Sequence, residues 1–131
     1  MRPITKKCVI ISAELTKTPE TNVHNSEVLE TLIVKHGLSY KHMVGCYKGQ
    51  REASFLVEYD TQLPLLLEWA KRFNQESVLL LDEDRNARLS YISNSRKDMN
   101  IGKLKPVSKQ EVLKLEAWSY CTLNHQFYGV L

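Results

Sequence analysis

The chain is poor in the residues that build rigid chemistry into small proteins. Its 131 residues hold three cysteines, Cys8, Cys46 and Cys121, an odd number with no CxxC spacing. That pattern excludes a disulfide framework, and no histidine stands at zinc-finger distance from a cysteine pair. Reduced thiols are the expectation. The four histidines, His24, His36, His42 and His125, are scattered. No HExxH, no Ser-His-Asp motif context, no GxxxxGK[ST] and no GxGxxG occurs, so neither a zinc hydrolase nor a phosphate cradle is signalled. Asp82-Glu83-Asp84 supplies too few ligands for a calcium loop and reads as a solvated turn. No metal and no cofactor is therefore expected. Nor is there an excess of charge of one sign: 18 basic against 15 acidic side chains leave a net +3, too balanced to imply nucleic acid. The apolar run Cys8-Val9-Ile10-Ile11 is too short for a signal-peptide core or a membrane span, and neither end carries a lipidation motif. A soluble, cytoplasmic protein with no membrane partner is the expectation.

What is present is an ordinary globular mixture, 43% hydrophobic and 25% charged, long enough to bury a core as one domain over residues 1–131. Residues 7–15 read as a first strand, and the polar stretch Thr16 to His24 as a long loop. Asn25 or Ser26 can cap a helix to His36, with Val28, Leu29, Leu32 and Ile33 on one face and Gly37 as its stop. Strands over 39–46 and 53–59 follow. A second helix, capped by Asp60 or Thr61, has Pro64 in its first turn and Leu66, Trp69, Ala70 and Phe73 on one stripe. Residues 77–81 and 87–93 read as two more strands. Asn94 to Pro106 reads as a basic loop, 108–115 as a short helix, and 118–123 with 127–130 as a final hairpin. Strand, helix, strand, strand, helix, strand predicts a ferredoxin-like α+β fold: an antiparallel sheet with two helices on one face, plus extra C-terminal strands.

The stretch Gly45 to Val57 concentrates the functional signals. Two glycines flank Cys46-Tyr47-Lys48, and Glu52 stands just before Phe55-Leu56-Val57, so polar groups lie at the rim of a hairpin. An RNA-recognition motif is a weak alternative, because Ala53 stands where a stacking aromatic is needed. Gln75-Glu76, between a helix and a strand, reads from the residues alone as a solvated helix end. The basic residues Arg96, Lys97, Lys103, Lys105 and Lys109 read as a solvated tail.

Gly45-Cys46-Tyr47, Glu52 ahead of a strand, Gln75-Glu76 ahead of Val78-Leu79, Leu89-Ser90-Tyr91 and Gln110-Glu111-Val112 together resemble the small phage enzymes that degrade S-adenosylmethionine (SAM), the SAM lyases, formerly called SAM hydrolases. The resemblance runs over roughly residues 8–130. The segment between Tyr47 and Glu52 is shorter here than in some members. The resemblance implies a cofactor-free homotrimer with active sites between subunits. It implies that the substrate's own carboxylate expels methylthioadenosine and leaves homoserine lactone, a counter-defence activity in the cytoplasm of the infected bacterial host. Carried onto this chain, it makes Tyr47 and Glu52 the catalytic pair and Gly45, Cys46, Gln75 and Glu76 substrate-binding residues, with Glu76 coming from a neighbouring subunit. The competing expectation is a non-enzymatic ferredoxin-like module that binds a nucleotide-like ligand or a host protein.

Overall fold

The structure is a computed structural model that describes residues 6–15, 19–47, 50–92 and 97–131, apart from the side chains of Pro19 and Tyr47. Part of the expected 16–24 loop (residues 16–18), the turn residues Lys48 and Gly49, and Arg96 of the basic tail lie outside the described residues. So does the side chain of Tyr47.

Among the described residues, eight strands and three helices follow in the order β1 (Cys8–Ile11), α1 (Pro19–Lys35), β2 (Tyr40–Tyr47), β3 (Gln50–Glu58), α2 (Leu63–Arg72), β4 (Ser77–Leu81), β5 (Asn86–Tyr91), β6 (Met99–Val107), α3 (Lys109–Val112), β7 (Ala117–Cys121) and β8 (Gln126–Val130). Every pairing is antiparallel. The strands close into a barrel in the order β1-β3-β2-β7-β8-β6-β5-β4. This overturns the ferredoxin-like expectation: there is no open sheet with a free second face, but a ring with an interior. The strand that closes the ring is β6, in the stretch expected to be a loop. It pairs with β5 on one side and β8 on the other.

The sequence hid β6 for identifiable reasons. Met99–Val107 carries Lys103, Lys105, Gly102 and Pro106, which depress strand propensity. Each has a place in the barrel. Gly102 has φ 120° beside the register shift at Ala87/Arg88, and a Cβ there would stand 2.5 Å from the Leu131 carbonyl oxygen. Pro106 lies beyond the last β5–β6 pair, so the donor it lacks is missing from an unpaired edge.

Strand residues alternate between the two sides of the wall, as a barrel requires. Val9 and Ile11 of β1, Phe55 and Val57 of β3, and Val78 and Leu80 of β4 face outward into the main core. There they meet Leu29 and Ile33 of α1 and Leu66, Trp69 and Ala70 of α2. Ile10, Leu56 and Leu79 face inward with Ile101, Leu104 and Val130 around a plug of Cys8, Leu81 and Ala87. Two helices thus cover one side of the barrel from outside.

Both long helices end in the same device. At α1 the Leu38 N–H donates to Ile33 and the Gly37 N–H to Val34, with Gly37 at φ 68°. At α2 the Gln75 N–H donates to Ala70 and the Asn74 N–H to Lys71, with Asn74 at φ 58°. These Schellman endings satisfy the last carbonyls and turn the chain sharply. Two boundary expectations change. α1 begins at Pro19, inside the expected loop; its first turns carry polar residues and show no apolar period, which is why the pattern there reads as loop. The cap of α2 is Gln62 rather than Asp60 or Thr61, and its side-chain oxygen accepts the backbone N–H groups of both. Among the described residues no helix is long and apolar enough to cross a membrane.

Candidate active site

One end of the barrel is closed and the other is open. At the closed end Cys8, Leu81 and Ala87 fill the interior, and the Arg85 guanidinium reaches the Cys8 sulfur at 3.3 Å and the Lys6 carbonyl at 3.1 Å. Toward the other end the interior opens into a cavity of about 850 Å³. That volume lies within the range that takes a ligand of nucleoside-conjugate size. The deep wall of the cavity is apolar, formed by Ile10, Leu79, Leu89, Ile101, Leu104 and Val130. The mouth is polar, with Glu14, Glu52 and Glu76 on one side and Ser119 and Tyr128 on the other.

Local folding explains each carboxylate. Glu52 is held by the β2–β3 hairpin, opposite Gly45, whose lack of a side chain leaves the space in front of the carboxylate open. The ladder gives Glu52 the same facing as Ser54 and Leu56, into the barrel. Glu76 reaches the rim because the Schellman ending of α2 delivers the chain there. Its carbonyl accepts from the Ile92 N–H at 2.8 Å. Glu14 ends the segment after β1. Its Oε1 accepts the Ala53 N–H at 3.0 Å and its Oε2 the Ser26 hydroxyl at 3.3 Å.

Burial at the mouth pushes the Glu52 carboxyl above the usual carboxylate range. A hydrogen bond with Ser12 partly offsets this, and the negative charge of Glu14 adds to it. The Ser12 hydroxyl donates to the Ala53 carbonyl oxygen at 2.8 Å and accepts the Glu14 backbone N–H at 3.0 Å, so one serine ties the end of β1 to β3 beside Glu52 and to the Glu14 backbone.

Of the residues expected at the site, Gly45, Cys46, Glu52 and Glu76 all line this cavity. Glu52 and Glu76 thus line one cavity within a single chain. Gln75 does not line it. It is buried, and its amide donates to the Glu14 carbonyl at 3.0 Å and, at 3.5 Å, to that of Phe73. Tyr47 is described through its backbone, which pairs with Gln50 and Ala117 at the rim. Glu111 is remote from the cavity chemistry: it forms a capping box with Ser108 at α3.

Sequence reasoning missed Glu14, Asn22, Trp118 and Tyr128 as cavity residues. Asn22 clamps the backbone of Leu15, accepting its N–H at 3.0 Å and donating to its carbonyl at 2.9 Å. A helical signal existed: Asn22, Ser26, Leu29 and Ile33 recur on one face of α1, which turns from apolar to polar where it runs past the mouth. At the outer lip the Arg51 guanidinium lies 5.7 Å from the centre of the Trp118 ring. Among the described residues no group of His, Cys, Asp and Glu is arranged to hold a metal ion.

No curated protein matches the chain. The profile of the S-adenosylmethionine lyase family matches residues 9–130, nearly the whole chain and every element of the barrel. An apolar-walled cavity with carboxylates at its mouth suits a substrate with a nucleoside at one end and positive charge at the other. The chain belongs to the S-adenosylmethionine lyase family, enzymes that cleave SAM.

Proposed function

We propose that the enzyme cleaves SAM by intramolecular substitution in the barrel cavity. A carboxylate oxygen of the substrate bonds to its own γ-carbon, the γ-carbon–sulfur bond breaks, and its electron pair goes to sulfur. The products are neutral methylthioadenosine and homoserine lactone. No proton moves, so no general base is needed. The observation that carries this reading is Glu52, a partly buried carboxylate at the polar mouth of a cavity with an apolar wall.

Charge is lost as carboxylate and sulfonium combine. A side chain that held the sulfonium tightly would stabilise the ground state more than the transition state and slow the step. A carboxylate about 4 Å from a cation is worth roughly 4 kcal/mol at an effective dielectric of 20. That attraction assists the reaction when it is directed at the ammonium, whose charge does not change. Glu52 accordingly holds the ammonium and the folded conformer that brings carboxylate to γ-carbon, and gains rate through proximity. Glu76 takes the ribose hydroxyls, Gly45 and Cys46 line the wall beside them, and Tyr47 supplies a ring and a hydroxyl near the methionine moiety. Gln75 acts through Glu14 rather than on the substrate. The apolar wall takes the adenine.

The homotrimer belongs to the same proposal. Trp118, Phe127 and Tyr120 form a continuous aromatic strip on β7 and β8, with ring centroids 5.4 and 4.6 Å apart in sequence, on the side that α1 and α2 leave uncovered. That Glu52 and Glu76 line one cavity of a single chain supports a site whose carboxylates come from one subunit, with a neighbour closing the mouth near Trp118. The role that follows from the resemblance is removal of the methyl donor from an infected host's cytoplasm.

The test is incubation of the purified protein with SAM in ¹⁸O-water, with products followed by chromatography and mass spectrometry. Methylthioadenosine with unlabelled lactone is expected. Label in the γ-oxygen of homoserine would replace this route by hydrolysis. Light scattering of the wild type and of Trp118→Glu tests the assembly, and a monomeric wild type would remove the intersubunit site.

A further inference from the structure

Glu14 is a carboxylate held in place by its surroundings on every side. Its backbone N–H is bound by Ser12, its carbonyl by the buried Gln75 amide, and its two side-chain oxygens by the Ala53 N–H and the Ser26 hydroxyl. The next residue, Leu15, is clamped twice by Asn22. Five residues from β1, β3, α1 and the end of α2 thus fix one side chain at the rim of the cavity. A carboxylate has about four acceptor positions, and these contacts occupy one on each oxygen. The remaining lone pairs are free to meet a ligand in the cavity that Glu14 lines together with Glu52.

An alkylammonium has three donors in a compact head. One carboxylate does not satisfy all three, and a desolvated cation left with an unmet donor binds weakly. Glu14, just beyond β1, and Glu52, on the adjacent β3, line one cavity, and the Glu14 charge helps to raise the Glu52 carboxyl. We propose that Glu14 is the second carboxylate of the substrate's ammonium site, so that Glu14 and Glu52 bracket the α-amino group from two sides. The proposal rests on the placement of SAM's charged end at the mouth, given above. Glu14 is a binding residue in this scheme. The ammonium keeps its charge throughout the reaction, so the Glu14 contact stabilises ground and transition states alike and acts on KM rather than kcat.

The comparison that tests this uses Glu14→Gln with two ligands: SAM, and the SAM analogue that lacks the α-amino group. The amide keeps an oxygen for the Ala53 N–H, and Ser26 can accept from its NH₂. The expected result is a KM for SAM raised about tenfold or more, with kcat within about threefold. Calorimetry should give a Kd for the deamino analogue that is unchanged between wild type and variant. An equal loss of affinity for both ligands would make Glu14 a structural strut, and unchanged affinity for both would remove it from the site. Either result overturns the proposal. Ser26→Ala supplies the same test without altering the charge or the Ala53 contact: a smaller rise in KM for SAM alone supports the ammonium site, and an equal shift for both ligands overturns it. Wild-type turnover of SAM, measured alongside, tests the cleavage reading separately. Wild-type enzyme that binds SAM without cleaving it would sink that reading while leaving the two-ligand comparison intact.

Discussion

The two ends of the barrel are made from the same strands and have opposite chemistry. At the closed end, inward positions carry Cys8, Leu81 and Ala87, and the interior is packed solid. At the open end the same inward alternation carries Glu52 on β3 and Ser77 on β4, with Glu14 and Glu76 just beyond β1 and before β4. The hydrogen-bonded wall is continuous between them. The two ends differ in whether burial is complete. A side chain sealed from water contributes stability, whereas a half-buried carboxylate costs stability and is retained for what it binds. The floor and the mouth should therefore answer to mutation in opposite ways.

The largest effect belongs to Glu52→Gln. Loss of the charge proposed to hold the ammonium should lower kcat/KM by about a hundredfold or more, read as methylthioadenosine formed per unit time. The same change should stabilise the fold at neutral pH. The Glu52 carboxyl is raised in the folded state, so the folded protein binds its proton more tightly than the unfolded chain does. Stability from this group is fully present below the ordinary carboxylate value and is lost as pH rises through the raised one. The amide does not titrate, so the variant should melt higher than wild type at pH 7 to 8 and lose that advantage in acid. Activity runs the other way: the acid limb of wild-type kcat/KM should lie above the usual carboxylate range. A melting temperature that falls at neutral pH would erase the contrast between the ends.

Leu81→Ala is the matching change at the floor. Leu81 is 1% exposed, and its truncation should cost about 2 to 4 kcal/mol in denaturant unfolding, with kcat/KM nearly unchanged at temperatures where the protein is folded. Next is the seam. Gly102→Ala puts a Cβ against the Leu131 carbonyl in a backbone region L residues avoid, and should cost about 1 to 3 kcal/mol. Hydrogen exchange should rise first in β6, because that strand alone joins β5 to β8. The smallest effect is expected at Ser108→Ala, which removes the cap of α3, a helix that does not line the cavity, and should cost about 1 kcal/mol. Loss of activity in that variant would couple α3 to the site in a way the contacts do not suggest.

Short-range physics made much of the chain legible. Ser77–Leu81 is a strand because four adjacent apolar residues sit buried against the helices on one side and the barrel interior on the other. The stripe Leu66, Trp69, Ala70 meets the core as its spacing implies, and Gly37 ends α1 with positive φ. Glu52 and Gly45 could be placed together because hairpin register is set locally. What failed did so at long range. Glu14 follows an apolar run and looks like its polar end. Its importance comes from Ala53, Ser26 and Gln75, 39, 12 and 61 residues away. Gln75 and Glu76 are adjacent in the chain, yet Glu76 lines the cavity while the Gln75 side chain is buried against the Glu14 carbonyl.

Composition, spacing and motif determined most of the elements, the family and the hairpin that presents Glu52, since each depends on residues close together in the chain. Closure of the barrel was decided elsewhere. It hangs on β6, a strand without strand-like composition, which forms because β5 and β8 each offer an unpaired edge that its backbone satisfies. Side-chain propensity records nothing of backbone groups waiting on two distant strands. The cavity exists because the ring closes, and it is the cavity that gathers three separate glutamates along one lining.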